Sequence, residues 1–247
     1  MSEWFESEDF WLNYSPIMFD ENRWSEAPSV AEHVMKIAGL KKGSTVLDAG
    51  CGLGRISVEL ADLGADVTGV DLIQAELDAA KEYAESENVP LKLVKADLRT
   101  FSAPEQFDCT INLYTSFGYC DRLEEDMQIL KNMADSVKKG GTFILECVSR
   151  ETAILYFISG EEFERAGVKV TTKFTVEGAW EGLRSKWTLT APDGKIIDHE
   201  FVQRLYSASF LRDKLLEFGF SKANVYGDFE LSPYDEHAKT MVVIGKK

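Results

Sequence analysis

The sequence has few of the residues from which metal sites and disulfide frameworks are built. Its 247 residues include four cysteines, none of them in a C-x-x-C pair, and three histidines that form no H-E-x-x-H motif. Zinc sites need closely spaced thiolates or imidazoles. The composition therefore predicts no metal site, and the scattered cysteines are typical of reduced thiols in a cytoplasmic protein.

Basic side chains and long apolar runs are also scarce. The chain has 27 lysines and arginines against 42 aspartates and glutamates, and its formal net charge is −15. Such a surface repels phosphate backbones and anionic lipids, so we expect neither a nucleic-acid nor a membrane partner. No apolar run approaches the roughly 20 residues that cross a bilayer, and the acidic N-terminus differs from a basic signal peptide. These absences predict a soluble, cytoplasmic protein.

No repeat, low-complexity tract or Pro/Gly/Ser-rich linker divides the chain, and 45% of its residues are hydrophobic. This composition is ordinary for a globular domain with a core. We therefore predict a single domain for residues 1–247. Within it we expect a helical cap at 1–40, a ligand-binding core at 41–150, a β insertion at 160–206, and a helix with the last strands at 207–247.

Aromatic side chains are concentrated near the N-terminus. Residues 1–24 hold seven of the chain's 28 aromatic rings, together with an excess of acidic side chains. An exposed tail would not be built this way, so we expect the segment to pack on the rest of the fold. Two interpretations remain open, a helix packed permanently on the core and a lid over a bound ligand.

Strand and helix patterns alternate through the first half of the chain. Short apolar runs predict strands, and apolar positions with helical period predict the helices between them. The expected strands are 45–49, 66–70, 91–95, 107–112 and 142–148, and the expected helices are one that begins at Pro28, then 54–63, 74–86, 122–137 and 151–158. This alternation is typical of a doubly wound, mainly parallel sheet with helices on both faces.

The pattern changes in the second half. Residues 168–206 alternate apolar and polar side chains around the turn signature Ala191-Pro-Asp-Gly194, which predicts a small antiparallel β insertion. A helix at about 208–218 and strands near 222–228 and 240–245 follow, and these two strands complete a seven-stranded main sheet.

The sharpest motif follows the first predicted strand. The sequence Val46-Leu-Asp-Ala-Gly-Cys-Gly-Leu-Gly-Arg55 passes through glycines at 50, 52 and 54 into a helix. Glycines there allow a tight turn and let a ligand lie against the main chain. A dinucleotide fingerprint would place its third glycine at the position of Arg55. The carboxylate of Asp48 also favours a cationic ligand over a pyrophosphate.

This loop resembles motif I of class I S-adenosylmethionine (SAM)-dependent methyltransferases. Further landmarks of that family follow in the family's order: Val67-Thr-Gly-Val-Asp71, Lys95-Ala-Asp97-Leu98, Phe107–Tyr114 and Lys138-Lys-Gly-Gly141, where Lys139 replaces the proline of an L-K-P-G-G turn. The resemblance implies a Rossmann-like methyltransferase fold, SAM as cofactor and S-adenosylhomocysteine as product. Segments such as Phe10-Trp11, Thr115–Tyr119 and Ser232-Pro-Tyr234 extend it to a group of bacterial small-molecule methyltransferases.

The resemblance also implies roles for residues at the strand ends. Asp71 would accept both ribose hydroxyls, Asp97 and Leu98 would lie beside the adenine, and Asn112 would line the methionine side. The residues expected to bind the cofactor are Tyr14, Arg23, Asp48, Ala49, Gly50, Cys51, Gly52, Gly54, Asp71, Leu72, Asp97, Leu98, Asn112 and Leu113.

The acceptor is less well defined. After the fourth strand the chain reads Asn112-Leu-Tyr-Thr115, without the prolines of the [DN]-P-P-[YFW] motif in nucleic-acid amino-methyltransferases. Methyl transfer needs alignment, and a base only where the nucleophile must lose a proton. The sequence assigns no catalytic residue, and the candidates are Tyr14, Tyr119, His199 and Arg204.

We therefore predict a SAM-dependent methyltransferase that acts on nitrogen or oxygen of a small molecule. The aromatic N-terminus and the β insertion would close a pocket at the carboxyl ends of the strands. Two alternatives stay open at this point, a SAM-binding module without an acceptor and an NAD(P)-dependent oxidoreductase.

Overall fold

A computed structural model describes residues 4–247, and two sheets dominate it. The strands of this part of the chain are β1 (Thr45–Ala49), β2 (Asp66–Asp71), β3 (Lys92–Lys95), β4 (Phe107–Asn112), β5 (Val137–Cys147), β6 (Glu162–Arg165), β7 (Val168–Glu177), β8 (Gly182–Thr190), β9 (Ile196–Arg204), β10 (Lys222–Tyr226) and β11 (Met241–Lys246). The larger sheet has the order β10-β11-β5-β4-β1-β2-β3. The strands of this sheet run parallel to one another except for β11, which is antiparallel to both of its neighbours, β10 and β5. This confirms the predicted doubly wound, mainly parallel sheet of seven strands.

Helices cover both faces of this sheet. Residues 4–247 contain one turn of 3-10 helix at Trp4–Glu6 and the α-helices α1 (Glu8–Met18), α2 (Glu21–Ala38), α3 (Arg55–Asp62), α4 (Gln74–Ser86), α5 (Leu123–Ser136), α6 (Arg150–Leu155) and α7 (Ala208–Glu217). Val46 of β1 packs in a cluster with Val34 and Leu60, whereas the next residue, Leu47, packs with Leu130 and Leu211. Successive side chains of a strand point to opposite faces, so the buried β1 joins both halves of the core.

The smaller sheet is antiparallel and has the order β6-β7-β8-β9. Its inner face packs on α1, where Ile17 contacts a cluster formed with Val170 and Leu189. The predicted antiparallel insertion is therefore confirmed, and β6, within the expected range 160–206, is its first strand. In the register of β8 and β9, Trp187 lies directly opposite His199.

The N-terminal helices are longer than the sequence pattern predicts. The helix expected from Pro28 begins at Glu21, after the carboxylate of Asp20 accepts the Arg23 N–H at 3.0 Å. Pro28 lies inside α2, and α1 likewise contains a proline. A proline inside a helix removes one main-chain hydrogen bond. The buried face that carries Val30 offsets this loss in α2.

The glycine pair expected as a turn before the fifth strand lies inside β5 instead. Phe107 pairs with Val137, and Cys109 pairs with Thr142, so β5 has three more residues than β4 between these pairs. The extra residues form a bulge, and Lys138 reaches from it to the carboxylate of Asp108 at 2.9 Å.

A buried carboxylate connects the two sheets. Asp126 of α5 is fully buried, and it accepts hydrogen bonds from the Cys120 N–H at 3.1 Å, the Tyr206 hydroxyl at 2.8 Å and Nε of Arg204 at 3.2 Å. These donors belong to the segment after β4 and to the end of β9 and the residues that follow it. Asp126 therefore fixes the antiparallel sheet against the core.

We expect Asp126→Asn to lower the free energy of unfolding by about 2–4 kcal/mol, because an amide leaves a buried donor unpaired and removes the charge opposite Arg204. Urea denaturation measures this loss. The control is Asp135→Asn, whose half-exposed carboxylate pairs with Lys131 and should cost less than about 1 kcal/mol. Equal losses in the two variants would show that Asp126 is no anchor.

Candidate cofactor and acceptor site

The order of the larger sheet reverses between β1 and β4. Strands β2 and β3 are added on one side of β1, and β4 and β5 on the other. A crevice opens beyond the carboxyl ends of the strands at such a reversal. The predicted cofactor residues from Asp48 to Gly54, together with Asp71, Asn112 and Leu113, stand at or just after the ends of β1, β2 and β4. Asp97 stands two residues beyond β3, at the same edge.

The loop after β1 depends on its glycines. Gly50 and Gly54 have φ of +79° and +74°, a region that favours glycine. A Cβ on Gly50 would lie 2.9 Å from Cβ of Ser116, and one on Gly54 would lie 2.8 Å from Cβ of Ala80. Neighbouring side chains therefore leave no room for a side chain at either position.

Asp71 holds this loop to the end of β2. Its two carboxylate oxygens accept the N–H groups of Gly52 at 2.8 Å and Ile73 at 3.0 Å. Burial raises the pKa of Asp71, and these N–H groups lower it to a smaller extent. A carboxylate has about four lone-pair positions, so Asp71 can still accept ligand hydroxyls.

Asn112 connects β4 to β1 at the point where the strand order reverses. Its Nδ2 donates to the Ala49 carbonyl at 2.6 Å and so links the ends of β4 and β1. Its Oδ1 is buried and has no partner within residues 4–247. A buried oxygen without a donor costs about 1–3 kcal/mol. The site thus fits a ligand that brings a hydrogen-bond donor, such as an ammonium group.

Asp48 and Cys51 lie beneath the loop. Asp48 is buried and accepts the hydroxyl of Ser57 in α3 at 2.6 Å. Burial raises the pKa of Asp48 to about 6, although Ser57 opposes the shift. The sulfur of Cys51 packs against Gly69 of β2, and burial raises the pKa of its thiol. Both side chains hold the turn between β1 and α3 in place.

Asp97 is engaged by a residue that the sequence did not single out. It accepts the main-chain N–H of Arg99 at 2.8 Å and the Arg99 Nε at 2.7 Å. Burial raises the pKa of Asp97, but the Arg99 hydrogen bonds outweigh it and the pKa is lowered. Arg99 also pairs with Glu6 at 2.7 Å. The neighbouring Leu98 packs at the margin of the core, and Leu72, after β2, is half-buried.

The N-terminal segment lies over this edge. Ser15 of α1 donates to the buried carboxylate of Glu76, and Glu8 accepts the Ala75 N–H at 3.2 Å. On its other side, Arg165 of β6 donates to the Ile17 carbonyl at 2.8 Å. The segment therefore packs on α4 and β6, as expected for either a permanent cap or a lid.

Three of the four catalytic candidates meet in one group of rings, the aromatic cluster. Its members are Trp4, Phe10, Tyr14, Tyr119, Trp187, His199 and Phe201. Ring centroids are 4.5 Å apart for both Phe10–Tyr14 and Phe10–His199, and 4.8 Å apart for Tyr14–Trp187. The fourth candidate, Arg204, lies apart, because its guanidinium contacts Asp126.

Arg55 is the main site residue that sequence reasoning missed. Its side chain is buried between the rings of Phe19 and Tyr114, at 4.8 and 4.5 Å from their centroids, and it donates to the Arg23 carbonyl. In the part of the chain that the structure describes, Arg55 pairs with no carboxylate. Arg23 itself pairs with the half-exposed Glu26 at 3.2 Å. Two arginines in contact with each other therefore lie beside the loop after β1, and the exposed Glu26 pairs with one of them, Arg23.

Comparisons with known proteins agree with this geometry. Residues 46–141 match the methyltransferase domain family. Residues 46–141 of this chain are a methyltransferase domain. The match decides against the dinucleotide oxidoreductase that the glycine loop left open, and the cofactor of the domain is SAM.

Three proteins illustrate the similarity. A ubiquinone biosynthesis O-methyltransferase of Coxiella burnetii is 32% identical over 123 residues, which are 49% of this chain and 51% of that protein, so the chain spans about half the length of this curated relative. The structure of a SAM-dependent methyltransferase from Clostridium acetobutylicum has a TM-score of 0.78 at 17% identity and covers 96% of this chain and 97% of its own. SAM-bound CalS10 from Micromonospora echinaspora, an amino pentose methyltransferase, has a TM-score of 0.71 at 19% identity and 96% coverage of both chains. The two structures share the fold of this chain.

In residues 4–247 no three His, Cys, Asp or Glu side chains lie close enough together to hold a metal ion. Among the same residues no helix has the length and hydrophobicity to cross a bilayer.

Glu76 joins the N-terminal segment to the cofactor edge, and its ionisation opposes folding. Burial raises the pKa of Glu76 to about 7, the Ser15 hydroxyl lowers it and the charge of Asp71 raises it further. In an unfolded chain a glutamate titrates near about 4.3. Between these two pH values the folded protein holds a proton that the unfolded chain has lost. The contribution of Glu76 to stability therefore falls as the pH rises from about 4.3 to about 7.

We expect Glu76→Gln to remove this dependence. The stability of the original protein relative to the variant should fall by up to about 3 kcal/mol between pH 4.5 and pH 8, as measured by urea denaturation at both values. Glu82→Gln, an exposed position on the same helix, is the control and should leave the pH dependence unchanged. Parallel stability curves for Glu76→Gln and the original protein would rule out a buried, proton-binding Glu76.

Proposed function

We propose that this protein transfers the methyl group of SAM to a nitrogen or oxygen atom of a small-molecule acceptor. The observation that carries the proposal is the crevice at the reversal between β1 and β4. There a bare glycine loop, the Asp71 carboxylate and the unpartnered Asn112 Oδ1 lie at one edge, next to the aromatic cluster. The Coxiella relative is named for O-methylation, and CalS10 is an amino pentose methyltransferase. The proposal therefore includes both nitrogen and oxygen as the methylated atom.

The chain's own residues would hold the cofactor by complementary polar groups. Asp71 would accept ribose hydroxyls, the loop from Gly50 to Gly54 would lie against the nucleoside, and Asn112 Oδ1 would accept from the ammonium group. Asp97 and Leu98 would border the adenine. When bound, SAM supplies a methyl group whose leaving group is a neutral thioether. The protein then has to align the acceptor with that carbon and exclude water.

Arg55 and Arg23 would bind the carboxylate at the methionine end of the cofactor. A buried guanidinium without a carboxylate partner is costly unless a ligand pairs with it. Burial lowers the pKa of Arg55 and the charge of Arg23 adds to this effect, whereas Tyr114 and Glu26 oppose it. A bound carboxylate would relieve both the burial cost and the repulsion between the two arginines.

Asp71→Asn tests the ribose contact. The amide cannot accept two ribose hydroxyls at full charge, so we expect the affinity for S-adenosylhomocysteine to fall about 10- to 100-fold. Isothermal titration calorimetry measures this change, and circular dichroism checks that the variant is folded. Asp66→Asn, at the exposed start of the same strand, should bind as the original protein does. Undiminished binding by a folded Asp71→Asn variant would remove the proposed contact.

Arg55→Met tests the carboxylate contact with a pair of ligands. S-adenosylhomocysteine carries the methionine carboxylate and 5′-methylthioadenosine lacks it. We expect the variant to bind the first about 10- to 100-fold more weakly and the second with unchanged affinity, since only the first meets the guanidinium. Arg122→Met, with a side chain 71% exposed, is the control. Equal losses for both ligands would make Arg55 a packing residue.

A further inference from the structure

The aromatic cluster contains polar atoms that the fold leaves without partners. Trp187 and His199 lie opposite each other on the inner face of the smaller sheet. The indole Nε1 and the imidazole Nε2 are both buried and make no hydrogen bond within residues 4–247. Each such atom costs about 1–3 kcal/mol. Two of them at directly opposed strand positions indicate a site that a ligand completes.

Two tyrosine hydroxyls of the same cluster are also unused. Neither Tyr14 nor Tyr119 makes a side-chain hydrogen bond in the described part of the chain, and Tyr14 is only 3% exposed. Burial raises the pKa of both hydroxyls, and in Tyr14 the proximity of Tyr119 adds to the shift. Both side chains are therefore neutral, and the cluster offers four polar groups from four neighbouring rings.

The cluster lies on the acceptor side of the cofactor edge. Tyr119 is seven residues after Asn112, in the segment that follows β4. The charge of Glu146 and the thiol of Cys147, both at the carboxyl end of β5, influence the Tyr119 hydroxyl. The cluster therefore adjoins the ends of β4 and β5, next to the crevice in which Asn112 stands.

Its chemistry selects against anionic ligands. All seven side chains are uncharged at neutral pH, because burial lowers the pKa of His199 and the opposing effect of Asp198 is smaller. Rings prefer to pack against other rings, edge to face or offset. A phosphate or carboxylate would find no counter-charge among them, whereas a flat neutral ring would find both π-faces and hydrogen-bonding groups.

We propose that the aromatic cluster is the acceptor site and that it binds a neutral aromatic ring with a hydroxyl group and a second oxygen beside it. His199 Nε2 accepts the hydrogen bond of the hydroxyl, and Trp187 Nε1 donates to the second oxygen. This inference rests on the proposed methyltransferase function and narrows it to oxygen. On methylation the hydroxyl proton moves to His199 Nε2, the oxygen forms the bond to the methyl carbon, and the electron pair of the broken carbon–sulfur bond stays on sulfur.

The test uses the full chain saturated with S-adenosylhomocysteine and catechol as the probe. Cyclohexane-1,2-diol, which has the two hydroxyls without the aromatic ring, and benzylamine, which has the ring with an amine, are the matched ligands. Calorimetry with the unchanged protein should show binding of catechol that is at least about 10-fold tighter than that of either matched ligand.

The variants Trp187→Phe and His199→Phe keep a ring and remove the polar atom. We expect each to weaken catechol binding about 10-fold or more without changing the affinity for S-adenosylhomocysteine. His199→Gln restores a hydrogen-bond acceptor and should recover part of the loss. Trp180→Phe, whose ring contacts Phe157 outside the cluster, and His33→Phe on α2 are the controls and should bind catechol normally.

Several results would overturn the inference. One is binding of S-adenosylhomocysteine without binding of catechol, which would leave the methyltransferase function intact and the acceptor site wrong. A second is catechol binding that neither Trp187→Phe nor His199→Phe weakens. A third is a His199→Gln variant that binds catechol no better than His199→Phe does. Tighter binding of benzylamine would assign the cluster to amines. Failure to bind S-adenosylhomocysteine at all would remove the proposed function itself and the inference with it.

Discussion

The structure depends on the reversal of strand order between β1 and β4. Because β2 and β4 lie on opposite sides of β1, the segments that leave the ends of β1 and β4 diverge and open a crevice there. The hydrogen bond from Asn112 to Ala49 spans this point, and the glycine loop passes through it where Ser116 leaves no room for a side chain at Gly50. Asp71 then fastens the loop from the next strand. The proposed cofactor site follows from the topology, and the side chains adjust its chemistry.

The smaller sheet adds a second constraint, since a four-stranded antiparallel sheet must bury one face. It does so against α1, where Ile17 completes an apolar cluster and Phe10 and Tyr14 contact His199 and Trp187. The same helix is fixed to the cofactor edge through Ser15 and Glu76. One helix, α1, therefore buries the inner face of the smaller sheet and also covers the crevice. A change that loosens α1 affects both.

Local patterns in the sequence were sufficient for the larger sheet. Buried parallel strands are short apolar runs, and the glycine loop has a distinctive spacing, so the mainly parallel sheet and the edge with the glycine loop followed from residues near one another in the chain. Features that arise from distant contacts were not predictable in this way. Proline suggests a helix boundary, yet Pro28 lies inside α2 because burial of one helix face offsets the missing hydrogen bond. Arg204 was a catalytic candidate because a guanidinium can bind an acidic group of a ligand, but its partner in the fold, Asp126, is 78 residues away in the chain. Arg55 appeared only as a departure from a dinucleotide motif, because Phe19 and Tyr114 come together around it only in the fold.

The distribution of unsatisfied groups argues that the crevice and the aromatic cluster form one functional unit. Four buried side-chain atoms lack a hydrogen-bond partner within residues 4–247. One of them, Nε of Arg150, belongs to a guanidinium that already donates to the Leu205 carbonyl. The other three are Asn112 Oδ1, Trp187 Nε1 and His199 Nε2. Asn112 Oδ1 lies at the end of β4, and the other two atoms belong to rings that pack against α1. Folding alone gives no reason for these three atoms to stay unpaired, since each lowers stability. Ligands that supply the missing hydrogen-bond partners would offset this loss of stability. The buried guanidinium of Arg55, beside the glycine loop, likewise lacks a carboxylate partner that a ligand would supply. The groups whose burial lowers the stability of the fold therefore lie where the cofactor and the acceptor would meet.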